Sequence, residues 1–143
     1  MDEQQNNLEE LKKKLFVDSE VEKENLTELV DRYISLFGFI SKDGYPQLHA
    51  EAISRLNRKE LLKAQISGRA IAAVIDKNIP EDIGIKEIVK WNVHNIPENQ
   101  IIARVNDLVK EGFVIRKQRG VFHGKIYQIN SWLKQMEQIL KNG

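Results

Sequence analysis

Apolar residues recur at helix spacing through most of the chain. Leu8, Leu11, Leu15 and Phe16 form one such set, and Ser19-Glu20-Val21-Glu22 reads as a capping box that opens a second helix. That helix carries Leu26, Leu29, Val30, Tyr33, Ile34 and Phe37 on one face and stops at Gly38. Ser41 to Pro46, with its Asp-Gly and Pro, reads as a turn or loop. Residues 47–57 make a short amphipathic segment. A longer helix spans 58–77 with Leu61, Leu62, Ile66, Val74 and Ile75 inward, and Pro80 ends it. Its small-sided stretch SGRAIAA (67–73) contains Gly68, which costs about 1 kcal/mol against Ala inside a helix. Close packing would offset that cost, either within the chain or across a dimer.

The pattern changes after Pro80. Ile83-Gly84-Ile85 is a very short extended segment, a helix follows around Lys86–Trp91, and a polar turn covers 92–96. Pro97 suits the first position of the next helix, which places Ile101, Ile102, Val105, Leu108 and Val109 inward and ends at Gly112. Residues 113–130, FVIRKQRGVFHGKIYQIN, read as two strands around a glycine-flanked tip. A last amphipathic helix, 131–141, offers Trp132, Leu133, Met136, Ile139 and Leu140 on one side. The expected class is mainly α with a small β-hairpin.

Charge alters this picture. The whole chain carries a formal +1, yet residues 1–57 hold 7 Lys/Arg against 12 Asp/Glu and residues 58–143 hold 15 against 9. The hairpin is the extreme case, because no acidic residue occurs between Glu111 and Glu137. Concentrated like charge repels itself, so it points to an anionic partner. The absence of cysteine removes disulfides and thiolate metal sites and fits a cytoplasmic protein. No apolar run is long enough to span a membrane, and the acidic, polar N-terminus does not read as a secretory signal.

Helix, short strand, helix, turn, helix and hairpin is the order of a winged helix-turn-helix domain. Residues 97–130, PENQIIARVNDLVKEGFVIRKQRGVFHGKIYQIN, resemble the recognition helix and wing of winged-helix regulators of the MarR, ArsR and PadR kind. The shared pattern is I-x-x-R-V-x-x-L-V-x-x-G-x-V, then a basic strand, a glycine-containing tip and the triplet Tyr127-Gln128-Ile129. The resemblance implies a domain over 58–130, flanked by a helical N-terminal extension (1–57) and a C-terminal helix (131–143). Two departures stand out. The turn NVHNIP is longer than the tight turn of many such domains, and Glu98 and Asp107 put acids on the recognition helix.

On this resemblance the partner is double-stranded DNA. The helical wheel points Gln100, Ala103 and Asp107 away from the core, with Asn99, Arg104 and Lys110 flanking. A helix inserted in the major groove presents its N-terminal half, which makes Asn99, Gln100, Ala103 and Arg104 the base readers. Arg116, Lys117, Arg119, His123 and Lys125 are the wing residues for the backbone or minor groove. Each set has a plainer reading, a solvated helix face and a hairpin guarded against edge pairing. The apolar stripes at 8–16 and 132–140 suggest a homodimer, and residues 1–57 could hold a protein partner. No metal site or cofactor is expected, since His49, His94 and His123 stand apart from one another and from carboxylates at ligand spacing. No phosphate-cradling loop or nucleophile turn is present, so an enzyme is not expected. Two functions follow: a DNA-binding regulator or partition or replication factor, or a winged helix used for protein contacts.

Overall fold

A computed structural model describes residues 19–91 and 96–142 of the chain. The expected stripe at 8–16 and most of the 92–96 turn lie outside these residues. Helix α1 (Ser19–Leu36) leads into a hairpin of β1 (Gly38–Ile40) and β2 (Pro46–Leu48). Then come α2 (Ala50–Arg55), α3 (Arg58–Ile75), β3 (Ile83–Gly84), α4 (Ile85–Lys90) and α5 (Glu98–Lys110). Strands β4 (Val114–Gln118) and β5 (Val121–Gly124) precede the last helix, α6 (Ile126–Asn142). The described fold is mainly helical with two small antiparallel sheets, β1-β2 and β3-β5-β4.

Helix α3 is the central element. Asn57 caps it reciprocally: Glu60 N donates to Asn57 Oδ1 at 2.8 Å, and Asn57 N donates to Glu60 Oε1 at 3.0 Å. This capping box satisfies donors that a helix start otherwise leaves open. Leu61, Leu62, Ile66, Ala70 and Ile71 are buried, but Val74 and Ile75, expected inward, are exposed. The helix ends at Ile75, ahead of Pro80, with Asp76 N donating to the Ala72 carbonyl. Gly68 is explained from within the chain, because a β-carbon there would collide with Tyr33 Oη of α1.

Two other expectations change. Residues 38–48 form a β-hairpin, where the sequence pattern predicts only a loop and the start of an amphipathic segment. Helix α6 begins at Ile126, so Tyr127-Gln128-Ile129 is its first turn and not the end of the hairpin's second strand. Helical spacing explains the difference: Ile129, Leu133 and Met136 all enter the core, whereas Tyr127 is 82% exposed. The α6 face is covered by α1, where the Trp132 and Phe37 rings stack with centroids 5.2 Å apart and Arg32 Nε donates to Glu137 Oε2 at 2.6 Å. Phe113 meets Trp132 edge-on at 5.7 Å. One buried cluster therefore joins Phe37, Ile66, Leu108, Phe122 and Trp132, and the 132–140 stripe leaves only Ile139 strongly exposed.

Candidate nucleic-acid interface

Helix α5 stands on the core through Ile101, Val105 and Leu108, which are buried. Asn99 and Lys110 are exposed on the opposite side, and Gln100, Ala103, Arg104, Asn106 and Asp107 are half-buried. Ile102, expected inward, is 41% exposed. One hundred degrees of helical rotation from Ile101 is enough to carry it to the flank. Of the four expected readers, Asn99 is the freest. Arg104 is engaged on its own helix, with Nε 3.1 Å from Asp107 Oδ2. An i,i+3 pair of this kind draws the guanidinium along the helix surface.

The hairpin beside α5 closes at Arg119-Gly120, where Gly120 has φ 76°, a value that only glycine adopts without strain. Lys117 and Arg119 are exposed. Lys117 falls between the pairs Arg116–Phe122 and Gln118–Val121, so it is the extra residue of a β-bulge. The tip is tethered, since Ile85 N at the start of α4 donates to the Gly120 carbonyl at 3.2 Å. Lys125 lies beyond the base, where its amide donates to the Phe113 carbonyl at 3.2 Å, far along the strand from Arg119. The structure thus brings Lys117 and Arg119 together and leaves Lys125 at the other end.

His123 is not at the tip. It is the β5 partner of Ile115, buried, and its Nδ1 is 3.7 Å from both Glu81 Oε1 and Asp82 Oδ1. The alternation of the strand turns it away from the Arg116–Phe122 face and toward the segment that enters β3. Gly124 is also explained otherwise than as a loop glycine. A β-carbon there would press on Ile129 Cδ1 at 3.0 Å and Ile66 Cγ2 at 3.2 Å, so the residue permits close packing of β5 on α3 and α6.

Two arginine contacts complete the site. Arg116 Nη2 donates to Asn106 Oδ1 at 2.9 Å, and its guanidinium lies 5.6 Å from the Phe122 ring centroid. Arg69, buried in α3, donates through Nη1 to Glu87 Oε2 of α4 at 3.1 Å and faces the Trp91 ring at 5.4 Å. The spacing of α3 does place residue 69 on the face of Leu62 and Ile66, seven and three residues before it, but the sequence does not show its partner Glu87. A partner for Arg116 ten residues upstream leaves no periodic signal either. Among the described residues no group of three or more His, Asp or Glu is arranged to hold a metal ion, and no helix is long and apolar enough to cross a membrane. No protein-family model, curated protein or solved structure matches this chain.

Proposed function

We propose that the chain is a winged-helix protein that binds double-stranded DNA, with α5 in the major groove and the β4–β5 hairpin as the wing on the phosphate backbone. The element order α3, β3, α4, α5, β4, β5 and the sheet order β3-β5-β4 support this reading. The observation that carries it is the pairing of an exposed α5 face with a neighbouring hairpin that holds no acid. The exposed hairpin cations, Arg116, Lys117 and Arg119, have no carboxylate of their own strand pair to neutralise them. Phosphate contacts supply affinity and register, and groove contacts supply sequence. Asn99 is the first candidate reader, because an amide can pair with adenine, and Ala103 and Ile102 offer methyl contact to thymine.

Dimerisation now rests on residues 8–16, because α6 is covered from within the chain. A transcriptional regulator, a partition factor and a replication factor share this binding chemistry. The test is fluorescence anisotropy of mixed-sequence duplexes over a salt series. The proposal expects log K to fall linearly with log[salt]. Absence of binding at low salt would remove the reading.

A specific observation favours a second reading, protein contact. Phe39 (63% exposed), Ile75 (57% exposed) and Ile34 line an apolar cavity of about 260 Å³ between α1, β1 and the end of α3. Exposed apolar clusters of this kind are common at protein interfaces. Lack of DNA binding together with specific capture of a polypeptide would favour it.

A further inference from the structure

The sequence groups Arg116 with Lys117 and Arg119 as like members of one basic hairpin, but their surroundings differ. Arg116 and Phe122 are register partners in β4 and β5, so their side chains leave the same face of the sheet. Phe122 is buried, and the Arg116 guanidinium lies over its ring at 5.6 Å. The same guanidinium donates through Nη2 to Oδ1 of Asn106 on α5 at 2.9 Å. Arginine suits this double role, since its flat face stacks on an aromatic ring while its edge keeps directed donors. The bulge immediately after it, at Lys117, changes the aim of the strand, so adjacent residues serve different partners.

We infer that Arg116 and Asn106 form a latch that fixes the hairpin against α5. Both are positioning residues, and the phosphate contacts of the hairpin belong to Lys117 and Arg119. The importance of the latch for DNA rests on the reading given under Proposed function. Its mechanical part does not. A hairpin and a helix that engage one duplex together must hold a fixed relative orientation, because small misplacement of either loses contacts at both. Asn106, on the outward side of α5, is thereby committed to the hairpin through its Oδ1.

Two measurements on the full chain test this. The first needs no DNA: amide hydrogen exchange across 114–124 in Arg116→Ala, Asn106→Ala, the double variant and Lys117→Ala. The latch predicts exchange about fivefold faster in each single latch variant, the size expected from one lost hydrogen bond. It predicts no further gain in the double variant and no change in Lys117→Ala. Asn106→Asp keeps the acceptor and should restore slow exchange. The second is duplex binding across a salt series. Arg116→Ala and Asn106→Ala should lower affinity by the same factor with the salt slope unchanged, whereas Lys117→Ala should reduce the slope by about one. Unchanged exchange in Asn106→Ala, or a slope lowered by about one in Arg116→Ala alone, would overturn the latch. If no variant and no parent protein binds duplex DNA, the functional reading fails and the exchange result still decides the latch.

Discussion

The phenol of Tyr33 occupies the space that a β-carbon on Gly68 would need, and its hydroxyl donates to the Ala64 carbonyl at 2.7 Å. This contact locks α1 onto α3 and gives the small-sided stretch of α3 an intramolecular reason. Gly→Ala inside an exposed helix stabilises by about 1 kcal/mol. Here the sign should reverse, because overpacking a filled site costs roughly 1–3 kcal/mol. Urea unfolding of Gly68→Ala should show a lower midpoint than the parent. A higher midpoint would mean that the Tyr33 contact does not constrain α3.

Tyr33 also makes a pH prediction. Burial pushes its hydroxyl well above the ordinary value of 10.0. The unfolded chain then ionises at a pH where the native chain does not. The contribution of Tyr33 is therefore complete below about pH 10 and is lost as pH rises further. Burial of Lys63, beside the Phe113 and Trp132 rings, acts the other way by lowering its pKa from 10.5. In the window below 10.5 the unfolded state binds the extra proton, so this residue alone makes stability rise with pH. Denaturation curves of Tyr33→Phe between pH 9 and 11 should lose the alkaline decline and leave the opposite trend. An alkaline decline equal to that of the parent would contradict the burial of the phenol.

Removal of either partner of the Arg69–Glu87 pair should have unequal effects. The Arg69 side chain is 4% exposed and that of Glu87 is 44% exposed. Glu87→Ala leaves a buried guanidinium without its carboxylate, at a cost of about 1–3 kcal/mol once the solvent around Glu87 is allowed for. Arg69→Met removes the charge and keeps the volume, so its cost should be smaller. Chemical denaturation of the two variants checks the order. A larger loss in Arg69→Met would show that the pair stabilises α4 on α3 by more than it costs to bury.

The sequence makes α3 and α5 legible because each has a long 3.6-residue pattern. Pro97 marks the start of α5, although it sits at the cap and Glu98 is the first helical residue, whereas the Asn57–Glu60 box of α3 emerges only from the structure. Where the pattern is short it fails. Ile126 to Ile129 fits both a strand end and a helix start, and the decision comes from Leu133 and Met136, at helical spacing from Ile129, and from Ile66, which is distant in sequence. The neighbours of His123 in the chain, glycines and cations, suggest a wing residue. Its actual neighbours, Glu81 and Asp82, reach it through the β3–β5 pairing. The candidate site divides the same way. Asn99, Arg116, Lys117 and Arg119 are exposed as the local pattern implies, and the Arg104–Asp107 pair lies at i,i+3 on one helix, whereas the Asn106 partner of Arg116 is supplied only by the folded chain.

Light scattering tests the remaining argument for a dimer. If residues 8–16 bury their stripe against a second copy, Leu11→Asp/Leu15→Asp should convert a dimer mass to a monomer mass at micromolar concentration. Equal masses for parent and variant would leave the stripe with no role in association.

Base reading should separate from phosphate contact. Asn99→Ala is expected to cost about 1–3 kcal/mol on a selected site and to leave binding to mixed sequences unchanged. Equal losses on both would place Asn99 among the backbone contacts.

The central claim is that the exposed cations of the hairpin meet phosphates. The direct measurement is the salt slope of duplex binding for Lys117→Ala/Arg119→Ala beside the parent chain. Two lost phosphate contacts should lower the slope by about two on every duplex, with circular dichroism unchanged because both side chains face solvent. An unchanged affinity and slope in this variant would contradict the account.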